Sequence, residues 1–166
     1  LRCDSLSYEH KLVGRDICDY RDSNLTHEVI AQYRPHAVIH TANVVGGLGA
    51  HAGKQLTFLS ENLLINTNII NACISGGVPS LVVVSSVAAF PALTPLLTEE
   101  CIEDGPVHES ERGYAISKRV VDSQIQLART ELDKRFVTVF PANIYGPHDN
   151  FSITSGHCVA SLLHKI

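Results

Sequence analysis

The sequence predicts an α/β fold built as a doubly wound parallel sheet. Three observations carry that prediction. Apolar, β-branched runs of strand length alternate with longer stretches of helical periodicity. The apolar runs are continuous rather than alternating, which is how strands buried on both faces read. The segments between them are long enough for helical crossovers, which parallel strands require.

The elements follow in order. KLV, 11–13, is a short strand candidate. LTHEVIAQY, 25–33, sets Leu25, Val29, Ile30 and Tyr33 at helical spacing, and Pro35 stops it. AVIHTA, 37–42, is the next strand, and the glycine-rich VVGGLGAHAG is a loop. QLTFLSENLLINTNIINACI, 55–74, repeats apolar positions at i, i+3, i+4 and i+7, and Gly76–Gly77 closes it. LVVVS, 81–85, is a strand; residues 87–112 form a long irregular segment broken by prolines. A helix over 113–132 leads to the strand RFVTVF, 135–140, which Pro141 ends. From about Ser155 another helix begins. Right-handed crossovers then place every strand's C-terminal end on one edge, where open α/β sheets hold ligands. That edge collects Asp16, the 43–53 loop, Ser85–Ser86 and the 141–149 loop.

Composition narrows the functional classes. The chain has 166 residues, enough for one domain with a real core, and a net charge of −4. Its charges are scattered, so a nucleic-acid or anionic-membrane surface is not expected. No apolar run reaches transmembrane length. The polar start, LRCDSLSYEHK, shows no signal peptide and no initiator Met. Five cysteines, none in a CxxC pair, read as reduced thiols of a cytoplasmic protein. The nine histidines include no HExxH, and no metal site is expected.

Two patterns suggest chemistry. Gly47-Leu48-Gly49-Ala50-His51-Ala52-Gly53 fits a GxGxxxG phosphate loop between a strand and a helix. The following helix, Asn62 included, lacks the acidic ribose partner expected about 20 residues on, so a turning loop is the preferred reading. The second pattern, GYAISKRV at 113–120, is stronger. Tyr114 and Lys118 are four apart on a helix and share a face. A cationic lysine favours the phenolate and is expected to lower the Tyr114 pKa. Such a tyrosine exchanges a proton with a carbonyl or alcohol oxygen while hydride moves at the carbon. A lone YxxxK is common on surface helices. Here it follows a strand that ends in serine at the ligand edge.

That Ser–Tyr–Lys combination resembles the short-chain dehydrogenases/reductases. HTANVVGG at 40–47, ENLLINTNIINA at 61–72, GYAISK at 113–118 and PANIYGPHDNF at 141–151 look like the extended members that act on nucleotide sugars. The last block, followed by SGHCVASLLHK at 155–165, is similar to the GDP-L-fucose synthase family. The resemblance implies a Rossmann-like fold and a cytosolic homodimer joined through helices 55–76 and 113–132. It implies NADPH-dependent epimerisation at C3 and C5 of GDP-4-keto-6-deoxy-D-mannose, then reduction at C4. Ser85, Tyr114, Lys118 and His157 would be catalytic. Asp16, Ile17, Ala42, Pro141, Asn143 and Ile144, with Tyr114, Lys118 and His157, would hold the NADP cofactor. Gly46, Gly47, Ser86, Asn143 and Lys165 would meet the nucleotide-sugar substrate. Ser85 is favoured over Ser86 because it keeps the spacing from the strand.

The departures are as informative. The glycine-rich GxxGxxG loop of the family is absent, as are its first strand and the C-terminal substrate domain. The chain therefore reads as a central fragment: residues 1–150 a partial dinucleotide-binding domain, 151–166 the start of a substrate-binding region. Weak or no NADP binding by this chain alone is expected without the phosphate cradle. The family places a proton-donating cysteine two residues after the catalytic serine, where Val87 stands. A 4-keto-sugar reductase without epimerase activity, and an inactive copy serving as a binding or dimerising module, are the competing readings.

Overall fold

A computed structural model describes residues 9–153, Gly156 and residues 158–165; for Leu48 and Cys158 it describes the backbone alone. Helices α1 (Ser23–Tyr33), α2 (Leu48–His51), α3 (Gln55–Ser75), α4 (Arg112–Leu132) and α5 (Cys158–Leu163) accompany strands β1 (Ala37–His40), β2 (Ser80–Val84) and β3 (Arg135–Val139). The strands form one parallel sheet in the order β1-β2-β3, with Val38 beside Leu81 and Leu81 beside Phe136.

Local chemistry explains the boundaries. The Asp22 carboxylate caps α1 by accepting from the Asn24 and Leu25 amides at 2.8 and 3.1 Å. The helix stops at Arg34 in the left-handed region, just before Pro35. Helix α3 ends at Gly76, and Gly77 takes the positive φ that turns the chain into β2.

One face of the sheet carries the core. Leu81, Val83 and Phe136 are buried under Ile30 of α1, Ile69, Ile70 and Cys73 of α3, and Val121 and Ile125 of α4. The expectation of helices on both faces is met on this side only, among the described residues. On the other side Ile39 is 70% exposed, with Val137 and Val139 also exposed. An apolar pattern records that a face needs covering but not which segment covers it. The strand expected at 11–13 does not form either. Those residues have no strand beside them, and Leu12 is exposed.

The starts of α3 and α4 are locked together, which positions the site. Gln55 accepts from the Gly113 amide at 2.8 Å and donates to the Ser110 carbonyl at 2.7 Å. A Cβ on Gly113 would lie 2.0 Å from the Gln55 carbonyl oxygen, so only glycine permits this approach.

Candidate active site

Helix α4 brings its chemistry to the C-terminal end of β2. Lys118 lies one turn after Tyr114, with its ammonium 5.4 Å from the phenol ring centroid. The Lys118 side chain is 1% exposed, and Nζ donates to the Val84 carbonyl at 3.0 Å. Burial disfavours its charge and pulls its pKa down to about 8. An ammonium has three protons, and this one has a single recorded acceptor among the described residues. The spare donors suit a pair of vicinal hydroxyls, such as those of a ribose.

The serine pair divides its work. Ser86 leaves the strand in extended conformation and caps the 3-10 turn Val87–Ala89, its oxygen accepting from the Ala88 amide at 3.2 Å. Its hydroxyl faces the Tyr114 phenol and favours the phenolate there. With an oxygen lone pair engaged by Ala88, the Ser86 proton is directed toward the phenol. Ser85 is buried instead, and its Oγ has no hydrogen-bond partner in the described structure. Of the two, Ser86 is the one whose hydroxyl acts on the Tyr114 phenol, whereas strand spacing favours Ser85. Spacing counts residues along the strand; the turn after it decides which hydroxyl faces α4.

The Tyr114 pKa is raised, contrary to the sequence expectation. Burial dominates, Ser86 opposes it, and Glu111 adds to it. Lys118 is itself desolvated, so its charge does not overcome the loss of water around the phenol. A raised phenol is protonated at neutral pH, the state needed to donate a proton.

Arg119, the next residue on α4, donates from Nε to the Ala89 carbonyl and so braces the turn that holds Ser86. Val87 packs beside Ala89, Phe90 and Ile102 in a small apolar cluster. Two residues beyond Ser85 is Val87, and two beyond Ser86 is Ala88. Neither transfers a proton.

The loop after β1 is held by an asparagine ladder that the sequence reading passed over. Asn62 accepts from the Val44 amide at 2.8 Å and donates to the Val44 carbonyl at 3.0 Å. Asn66 donates to Asn43 Oδ1 at 3.1 Å and accepts from His40 Nε2 at 2.9 Å. His40 is buried, and its pKa falls to about 4. Two asparagines one turn apart on the inner face of an apolar helix were the available signal. The ladder holds the loop that leads into Gly46 and Gly47. A Cβ on Gly46 would crowd Ala50 at 2.7 Å. Gly47 opens α2, which is a single turn and too short to cradle a phosphate.

The other candidates stand apart. Ala42, with Asn43, Gly14, Arg15 and Glu61, lines a cleft of about 170 Å³ at the end of β1. Asp16 and Ile17 lie exposed in the turn beside it. Pro141 is half-buried, while Asn143 and Ile144 are exposed on the following loop. Lys165 is exposed in the turn after α5, and His157 lies outside the described residues.

The model of the NAD dependent epimerase/dehydratase family matches residues 3–166. The GDP-L-fucose synthase of Dictyostelium discoideum is 37% identical over 149 residues, covering 89% of this chain and 47% of that protein. A probable GDP-L-fucose synthase of Drosophila melanogaster is 32% identical over 154 residues, with 92% and 48% covered. A GDP-L-fucose synthetase of Naegleria fowleri, solved bound to NADP, superposes with a TM-score of 0.83 at 34% identity. That alignment covers 92% of this chain and 51% of the other. The chain spans about half the length of the curated relatives it matches.

Proposed function

Because the chain belongs to the NAD dependent epimerase/dehydratase family, we propose that it carries the ketone-reducing core of a GDP-L-fucose synthase type enzyme. The substrate is GDP-4-keto-6-deoxy-D-mannose and the cofactor NADP(H). The observation that carries this reading is the meeting of the Ser86 hydroxyl, the Tyr114 phenol and the Lys118 ammonium at the end of β2. The relatives named above support the substrate class.

The residues work as follows. Ser86 donates its proton in a hydrogen bond to the C4 carbonyl oxygen and holds it beside Tyr114. NADPH, when bound, supplies hydride to that carbon. Tyr114 gives its proton to the oxygen as negative charge develops there, leaving a phenolate. Lys118 steadies the phenolate from the adjacent turn, and its spare donors hold the cofactor ribose. Ala42, Asp16 and Ile17 flank the cleft proposed for the adenosine end. Gly46, Gly47, Asn143 and Lys165 are proposed to meet the sugar and its diphosphate. The two-part division at residue 150, the cytoplasmic location and the homodimer are proposed with it. Among the described residues no helix is long and apolar enough to cross a membrane. Leu56 and Leu64 of α3, with Val120 and Leu127 of α4, give the dimer an exposed apolar surface. A monomer in sedimentation of the longest encoded chain would refute the pairing.

Epimerisation at C3 and C5 needs a base on one face of the sugar and an acid on the other. His157 is proposed for one role. Val87 and Ala88 leave the cysteine role unfilled, which favours the second reading, a 4-keto reductase that does not epimerise. Incubation with GDP-4-keto-6-deoxy-D-mannose and NADPH in deuterated water separates the two. GDP-L-fucose labelled at C3 and C5 supports the full reaction. An unlabelled product with the configuration of the starting sugar at C3 and C5 supports the reductase alone. Failure of NADPH oxidation rejects both.

A further inference from the structure

We infer that His51 is a positioning residue that couples the Gly46–Gly47 loop to Tyr114. The inference rests on the functional reading above and adds a residue to that site. His51 is 2% exposed, although it ends a helix of one turn in a glycine-rich loop. Its ring stacks on Phe58 of α3 with centroids 4.0 Å apart. It meets the Tyr114 ring edge-on at 5.8 Å. Its Nε2 donates to the Gly46 carbonyl at 3.1 Å, while Nδ1 is buried without a partner among the described residues.

Each contact has a distinct consequence. The Gly46 carbonyl accepts only, so Nε2 carries a proton. That bond ties the loop proposed to face the sugar to the ring that faces the proton donor. Phe58 fixes the plane of the imidazole, and Asn62 of α3 donates to the Phe58 carbonyl one turn away. The imidazole is thus a wedge between loop and phenol, backed by α3. A core histidine chosen for packing alone has no reason to leave Nδ1 without a partner, since burying an unpaired polar atom costs stability. A leucine or phenylalanine would fill the same space without that cost.

The two connections are separable by mutation. His51→Phe keeps the stacked ring and removes the donor. His51→Gln keeps a donor of similar reach and removes the ring. In the longest encoded chain, His51→Phe is expected to raise KM for the keto sugar about tenfold with kcat within about twofold, the scale of one lost hydrogen bond. His51→Gln is expected to lower kcat about tenfold with KM within about twofold, because the phenol loses its support. If both variants keep kcat and KM within twofold of wild type, whatever happens to their melting temperatures, His51 is packing alone and the inference is overturned. A second readout does not depend on the reaction. Tyr114 titration, taken as the absorbance difference from a Tyr114→Phe chain, should move down in His51→Gln as water reaches the phenol, and stay in His51→Phe. Titration unchanged in both variants overturns the coupling. If wild type oxidises no NADPH, the functional reading fails by itself and this titration still judges His51.

Discussion

Replacing Lys118 by methionine should make the chain more stable at neutral pH. The side chain is 1% exposed and its pKa falls from the ordinary 10.5 to about 8, because burial disfavours the ammonium. At about 1.4 kcal/mol for each factor of ten, keeping it charged costs about 3 kcal/mol. The bond to the Val84 carbonyl returns about 1 kcal/mol and is lost in the variant. The net gain for Lys118→Met at pH 7 is then about 2 kcal/mol. The sign with pH follows from proton counts. Between pH 8 and 10.5 the unfolded chain binds the proton more tightly than the folded one, so wild-type stability rises relative to the variant. By pH 10 the two chains should be about equal. Urea denaturation of both at pH 7 and pH 10 makes the comparison, and the difference between chains cancels other alkaline titrations. A variant less stable at pH 7, or a gap that does not narrow with pH, would refute the burial argument. The same substitution should abolish dinucleotide binding in the longest encoded chain, since a stabilising change at a functional site is lost function.

Three further outcomes are expected. Ser86→Ala should reduce kcat by about 100- to 1,000-fold, the scale of one lost donor to a developing oxyanion. Ser85→Ala removes a buried hydroxyl without a partner and should leave turnover within a few-fold; the opposite pattern in steady-state kinetics would return the role to Ser85. Gly113→Ala drives a methyl against the Gln55 carbonyl and should cost about 1–3 kcal/mol in denaturant melts; an unchanged midpoint would contradict the close approach of α3 and α4. His40 titrates near 4 instead of 6.5 through burial, so stability should fall by about 3 kcal/mol as the pH drops from 6.5 through 4. His40→Gln should flatten that part of the pH profile, and a profile as steep as wild type would exclude His40 as its source.

The α/β alternation was legible because each helix and strand has its own apolar period, and the pairing of Tyr114 with Lys118 was legible because four residues make one turn. What covers the second sheet face was not legible, since Ile39, Val137 and Val139 state only that they are apolar. Which serine hydroxyl acts on Tyr114 depends on a 3-10 turn that spacing does not encode. The rise in the Tyr114 pKa could not be read from its neighbour Lys118, because burial acts on both groups and is a property of the packed chain. His51 was hidden for a similar reason: in the sequence it is one residue of a glycine-rich loop, and only the fold sets it between Gly46, Phe58 and Tyr114.

Tyr114 is proposed to donate the proton that completes ketone reduction beside Ser86 and Lys118. The most direct test of that role is NADPH oxidation by GDP-4-keto-6-deoxy-D-mannose, comparing wild type with Tyr114→Phe in the longest encoded chain. The variant should bind NADPH as wild type does while kcat falls by about 100- to 10,000-fold. A Tyr114→Phe chain that turns over at the wild-type rate would contradict that role.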